Sequence, residues 1–342
     1  MLSKKHYIPF LVILVSLVVS CVPKSDFENT PKGNLKALWT IIDERYCFFE
    51  YKNSEYGLDW DRVYKKYSSR LTSDMNNIGL FEILTDMLSE LRDGHVNLYY
   101  IADVGRYWSW KEDYPANFDM KLVERYLGTD YKIASGIYYK ILDDNIGYLY
   151  VGDFSNNIGE SSLDAIISTL SICNGLIIDV RDNGGGSVET AENLASSFTN
   201  QAVFTGFILH KTGPAHNDFS EPKKRYVESN KYHLRWQKPV VVLANRGSYS
   251  ATNSFVSDMK CLPLVTVMGD VTGGGSGMPM SSALPNGWSV RFSASPMLDA
   301  DGNHIEFGVE PDIAVSLDET AAQKGVDSII ESARSYINSL LR

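Results

Sequence analysis

The chain has 342 residues, a formal net charge of −10 and 44% hydrophobic residues. That length supports one large apolar core with an accessory region, and the acidic balance excludes a basic nucleic-acid groove or membrane binding through a basic patch. Cys21, Cys47, Cys173 and Cys261 match no dense disulfide framework, and no histidines or cysteines pair at a recognised ligand spacing, so no metal is expected; with no phosphate-loop or dinucleotide fingerprint, no cofactor is expected either. The last three cysteines could include one disulfide or be three buried thiols.

Lys4, Lys5 and His6 precede an apolar run over residues 7–19 that ends at Ser20-Cys21. A short basic region before such a run reads as a signal peptide over residues 1–20. The run is shorter than the roughly 20 residues that span a bilayer comfortably. Val18-Val19-Ser20-Cys21 resembles a bacterial lipoprotein box, which implies cleavage before Cys21 and lipid attachment to it. Residues 21–33 then read as a tether, and the protein is expected on the bacterial cell envelope, lipid-anchored, with the face undetermined.

Residues 34–95 show helical spacing: Leu35, Leu38, Ile41 and Ile42 recur at turns, as do Leu80, Ile83, Leu84, Met87 and Leu88. Trp60, Val63 and Tyr67 mark a further helix with Asp59 as its cap. A bundle of three helices is expected, the last closing at Asp93-Gly94 with the glycine in the left-handed position. Residues 96–136 form a connecting segment with a short strand at 96–99 and an irregular aromatic stretch around Trp108, Trp110, Tyr114 and Phe118. Those aromatics suit either a cleft wall or a small packed satellite.

Residues 137–342 read as the main domain. Apolar strands at 146–151, 175–180, 202–209, 240–243 and 265–268 alternate with helices at 159–172, 188–197 and 253–260, and a polar insertion occupies 211–236. Edge strands are expected at 288–292 and 313–315, and a terminal helix at 325–341. This alternation predicts an α/β class fold, a three-layer core with a largely parallel or mixed sheet, preceded by the helical bundle.

Three separated segments carry chemistry. Asn245-Arg246-Gly247-Ser248-Tyr249-Ser250-Ala251-Thr252 follows a strand and opens a helix, a placement that exposes a side chain above a sheet. Ser248, Ser250 and Thr252 compete as the nucleophile, and an ordinary helix cap explains the segment equally well when it stands alone. Asn183-Gly184-Gly185-Gly186 follows a buried strand, and successive glycines let backbone N–H groups converge on developing negative charge. His95 can act as a base near neutral pH. Glu306 could orient that imidazole, with Glu310, Asp301 and Asp312 as competitors. A second glycine loop, residues 272–277, reads as a cleft rim.

Together these strings resemble the S41 serine peptidases, which include the carboxy-terminal processing proteases, over about residues 34–317. The resemblance selects Ser250. In the processing proteases a lysine from a later segment serves as base, but Gly275 occupies that position here. The chain is more similar to the tricorn-core and retinoid-binding-protein branch, which implies a serine, histidine and glutamate: Ser250, His95 and Glu306. The same resemblance implies Gly185 and Ala251 as oxyanion donors. About 50 residues separate His95 from the strand at 146, too few for the PDZ domain found in many processing proteases. The expected activity is serine-type hydrolysis of extracytoplasmic polypeptides or peptides through an acyl-enzyme, with the membrane reached through the lipid and no nucleic-acid partner. The alternatives are a non-catalytic ligand- or peptide-binding lipoprotein on a peptidase fold, or an esterase.

Overall fold

The structure is a computed structural model that describes residues 27–341. The expected signal peptide and Cys21 lie outside the described residues. Four helices come first: α1 (Pro31–Arg45), α2 (Phe49–Tyr56), α3 (Trp60–Ser68) and α4 (Asn77–Ser89). Thr30 caps α1 and Pro31 sits in its first turn, so this helix begins inside the expected tether. Asp59 accepts from the Arg62 N–H at 2.9 Å, as expected of a cap. The helix beyond expectation is α2; its sequence Phe-Glu-Tyr-Lys-Asn-Ser-Glu-Tyr lacks an apolar stripe, and it is held by burying Phe49 and Lys52. The left-handed residue after α4 is Arg92 (φ 47), not Gly94.

Next come β1 (Asn97–Tyr100), β2 (Asp103–Gly105), α5 (Ser109–Glu112), α6 (Met120–Leu127), β3 (Lys132–Ala134) and β4 (Ile137–Ile141). The segment after His95 is therefore divided between two sheets and leaves no separate PDZ domain there. The chain continues through β5 (Ile146–Tyr150), α7 (Glu160–Leu170), β6 (Gly175–Asp179), α8 (Val188–Ser196), β7 (Val203–Ile208) and β8 (Lys223–Val227). Then follow β9 (Val240–Ala244), α9 (Ala251–Lys260), β10 (Val265–Gly269), β11 (Gly277–Ala283), β12 (Ser289–Leu298), β13 (Ile313–Ala314), α10 (Glu319–Gln323) and α11 (Ser328–Ser339).

The main sheet has seven strands in the order β13-β10-β9-β6-β5-β4-β3. Strands β5, β6, β9, β10 and β13 are parallel; β3 and β4 run antiparallel at one edge. Successive side chains on a strand face opposite ways. Ile178, Val242 and Ala244 accordingly pack under Leu163, Leu194 and Phe255 of α7, α8 and α9. Ile177, Val241 and Leu243 meet Val123 and Leu127 of α6 and Ile329, Ile330 and Ile337 of α11 on the other face. Helices on both faces make the three-layer α/β core, and strands buried on both faces explain the continuous apolar runs at β6 and β9.

A second sheet has the order β2-β1-β12-β7-β8, with β11 also paired to β12. Val290 and Phe292 of β12 join Leu38, Ile42, Leu84 and Met87 in the core of the helical region. Three expectations change here. The stretch 288–292 is not an edge but part of the strand that organises this sheet. The strand at 203–208 belongs to this sheet rather than the main one. The polar insertion contains β8, whose exposed lysines hid its strand character. Cys47, Cys173 and Cys261 are all free thiols.

Candidate active site

In open α/β sheets ligand sites form beyond the carboxyl ends of the strands. Here the loops after β6 and β9 meet there. Arg181, fully buried, ties the first loop down through Asp179 Oδ2 at 2.6 Å and Asp327 Oδ2 at 3.0 Å. Asn245 Oδ1 accepts from the N–H groups of Asp182 at 2.8 Å and Gly247 at 3.0 Å, joining the loops.

The three hydroxyls competing in the second loop occupy different environments. Ser248 is buried, and its Oγ donates to the Val180 carbonyl at 2.8 Å. Thr252 is buried and donates to Asn183 Oδ1 at 2.6 Å. Ser250 alone of the three lines the cleft. It directly precedes α9, caps nothing with its side chain, and has φ 60 and ψ −121. A non-glycine residue held there is strained, as at a sharp strand-to-helix elbow. Its N–H donates to the Gly274 carbonyl at 2.9 Å, which helps hold the turn.

His95 Nε2 stands 2.9 Å from Ser250 Oγ. The ring lies edge-on to Tyr249 at 5.0 Å, and Tyr249 stacks on Trp110 at 4.1 Å. Trp110 thus forms a wall behind the histidine. A Cβ on Gly94 would lie 2.6 Å from Trp110 Nε1 and 2.7 Å from the Tyr249 hydroxyl, which is why glycine stands there. Burial pushes the His95 imidazole down to about 4, Asp93 opposes the shift, and Arg291 and Lys52 add to it. His95 Nδ1 has no hydrogen-bond partner among the described residues.

Glu306 is buried close by, but its carboxylate is not bonded to His95. Its Oε1 lies 3.1 Å from Lys52 Nζ, and its Oε2 accepts from the Ser276 N–H at 3.0 Å. Lys52 also donates to the Leu91 carbonyl at 2.7 Å. Asp93 accepts from the His95 N–H at 2.8 Å, the Tyr46 hydroxyl at 2.9 Å and Ser293 Oγ at 2.8 Å. One buried ammonium therefore faces two carboxyl groups. Asp93 is lowered despite burial, chiefly by Lys52 and His95, while burial and the Asp93 charge push Glu306 up to about 8. Glu310, Asp301 and Asp312 are all exposed, and Asp312 pairs with Lys260 at 3.1 Å.

The Gly185 N–H donates to Asn183 Oδ1 at 2.9 Å, so it is already occupied. A Cβ on Gly185 would fall 2.9 Å from Ser250 Cβ, so only glycine packs this close to the elbow. Gly186 and Ala251 line the cleft instead. Ala251 opens α9, where the first N–H groups lack intrahelical acceptors. Gly275 has φ 78, and a Cβ there would lie 2.4 Å from the Tyr249 ring; no longer side chain fits. The cleft is about 420 Å³, and Met278, Arg291 and Met297 complete its walls. Lys52 and Arg291 escaped the sequence reading: each looks locally like a surface cation, and no spacing marks either as part of a site.

The description of Peptidase family S41 matches residues 145–315, half of the chain. The chain belongs to peptidase family S41. The tricorn protease C1 domain also matches residues 27–89, the helical region. Carboxy-terminal processing protease CtpA of Bacillus subtilis is 25% identical over 194 residues, 56% of this chain and 40% of that protein. CtpB of the same organism is 26% identical, over 52% of this chain and 35% of that protein. The chain thus spans less than half the length of these S41 relatives. A crystal structure of a putative peptidase from Parabacteroides merdae is 51% identical, covering 91% of this chain and 97% of that one, with a TM-score of 0.86. Mature CPAF shares the fold at 13% identity, covering 91% of this chain and 96% of that one, with a TM-score of 0.68.

Proposed function

We propose that this chain is a serine peptidase acting on extracytoplasmic polypeptides or peptides. The observation that carries the reading is the strained Ser250 elbow with its hydroxyl 2.9 Å from a neutral, buried imidazole. Membership of S41 and the processing-protease names of its relatives support a peptide carbonyl as the target.

In this reading Ser250 donates its proton to His95 Nε2 as Oγ attacks the carbonyl carbon. The negative charge on the carbonyl oxygen is met by the Ala251 N–H at the start of α9 and by backbone at Gly186, which replaces Gly185 in that role. His95 passes the proton to the leaving amine as the C–N bond breaks. Water then attacks the acyl-enzyme, giving its proton to His95, and Ser250 is restored. Glu306 acts with Lys52 and Asp93 to fix the backbone that presents His95, rather than by holding the ring. Cys21 is the proposed lipid attachment site, which would place the enzyme on the cell envelope.

The test is incubation of the full chain in detergent with a diverse peptide mixture, read by mass spectrometry beside Ser250→Ala and His95→Ala. Cleavage lost in both variants supports the peptidase. Hydrolysis of ester substrates alone would make the protein an esterase, and neither activity in folded protein would make it a binding protein on this fold. Mass spectrometry of the mature amino terminus tests Cys21 separately.

A further inference from the structure

Arg291 lies on β12 among residues that alternate strictly: Val290 and Phe292 are fully buried in the helical-region core, while Ser289, Arg291 and Ser293 share the opposite face. Ser293 on that face bonds to Asp93, directly behind His95. The strand neighbours of Arg291 are uncharged, Asn97 on β1 and Ser281 on β11. Its side chain lines the same cleft as Ser250 and His95.

The guanidinium has no hydrogen bond or ion pair with any described residue, although Arg291 is half-buried. The other arginines withdrawn from solvent all have acceptors: Arg181 has Asp179 and Asp327, Arg225 has Glu192 and Asp258, Arg334 has Asp144 and Glu331, Arg246 has the Trp110, Thr272 and Phe307 carbonyls, and Arg235 has Ser229 Oγ. A partly desolvated cation is costly without an acceptor, and the planar guanidinium fork matches a carboxylate in two parallel hydrogen bonds. Glu189 also borders the cleft, but it is exposed on the first turn of α8 and forms no ion pair with Arg291.

We propose that Arg291 is a specificity-determining residue that holds a substrate carboxylate beside the bond under attack. This rests on the peptidase reading of the same cleft. The carboxylate has two chemical sources, an acidic side chain flanking the cleaved bond or the free C-terminus of the peptide.

The test uses matched peptides that differ only as Glu or Gln at each flanking position, each made with a free or an amidated C-terminus. The ratio of kcat/KM for acid over amide is compared in the wild type, Arg291→Gln and Arg291→Lys. The wild type should favour one carboxylate by tenfold or more; Arg291→Gln should bring the ratio close to one, and Arg291→Lys should recover part of it. The position of the favoured group identifies its source. A wild-type ratio near one, or a ratio unchanged by Arg291→Gln, overturns the proposal. Anisotropy measurements of the same labelled peptides on Ser250→Ala, with and without Arg291→Gln, read the preference without turnover. If the wild type cleaves nothing, the peptidase reading fails and the binding ratio alone decides the role of Arg291.

Discussion

Lys52 Nζ lies 3.1 Å from Glu306 Oε1, with both side chains essentially removed from solvent. The pair ties α2 of the helical region to the segment before β13, and the same lysine bonds the Leu91 carbonyl just ahead of His95. Lys52 Nζ also lies 4.0 Å from Asp93 Oδ2, the carboxylate it holds charged, and removing a buried cation that compensates such a charge costs about 3–5 kcal/mol. Lys52→Met should lose that much stability in urea unfolding at pH 7. Adding Asp93→Asn should restore part of the loss, because it removes the buried charge that Lys52 compensates. A loss below about 1 kcal/mol would remove Lys52 from the architecture of the site.

The His95 imidazole is pushed down to about 4 from an ordinary 6.5, principally by burial. Between those values the unfolded chain binds a proton that the folded chain refuses. Its contribution is therefore complete above pH 6.5 and is lost as the pH falls toward 4. Glu306, raised from 4.5 to about 8, acts oppositely: its folded form keeps a proton, so stability declines from pH 4.5 toward 8. Urea midpoints of the wild type and His95→Gln across pH 4–8 should differ in slope only below 6.5. Peptide cleavage should persist at pH 5.5, where an ordinary histidine would be largely protonated.

Ser250 holds φ 60, a conformation that glycine adopts without strain. Ser250→Gly should end cleavage yet raise the stability of the folded chain by about 1 kcal/mol. Ser250→Ala should end cleavage without that gain. Thermal or urea unfolding of the two variants side by side checks the difference; equal stability would mean that the elbow stores no strain.

Gly275 stands where the processing proteases are expected to carry a lysine, and the Tyr249 ring fills the space beside it. Gly275→Ala should cost about 1–3 kcal/mol through overpacking and the positive φ. Gly275→Lys should be no less damaging and should not rescue cleavage in His95→Ala. Rescue would show that a lysine base can be accommodated after all.

The layers of the core were legible because strands buried on both faces leave unbroken apolar runs, as in Leu176-Ile177-Ile178 and Val240-Val241-Val242-Leu243. Strand β8 was not, since Lys223 and Lys224 face solvent at the sheet edge and read as loop. Helix α2 and Lys52 were equally hidden: a lysine buried by partners as much as 254 positions away leaves no local periodic trace. The proximity of Ser250 and His95 across 155 positions also depends on tertiary folding. Local chemistry made His95 a candidate, a histidine after a helix end, and made Ser250 one of three hydroxyls in a turn before a helix; the S41 resemblance then selected Ser250. The orientation of Glu306 toward Lys52 and the occupied N–H of Gly185 depend on ångström-scale geometry, which the order of residues does not encode locally.

The most direct measurement is reaction of the full chain in detergent with a serine-directed fluorophosphonate, followed by mapping of the labelled residue. The account predicts a single adduct on Ser250, absent in Ser250→Ala and greatly slowed in His95→Ala. No adduct on folded protein at raised probe concentration, or labelling that ignores the loss of His95, would contradict an activated Ser250–His95 pair.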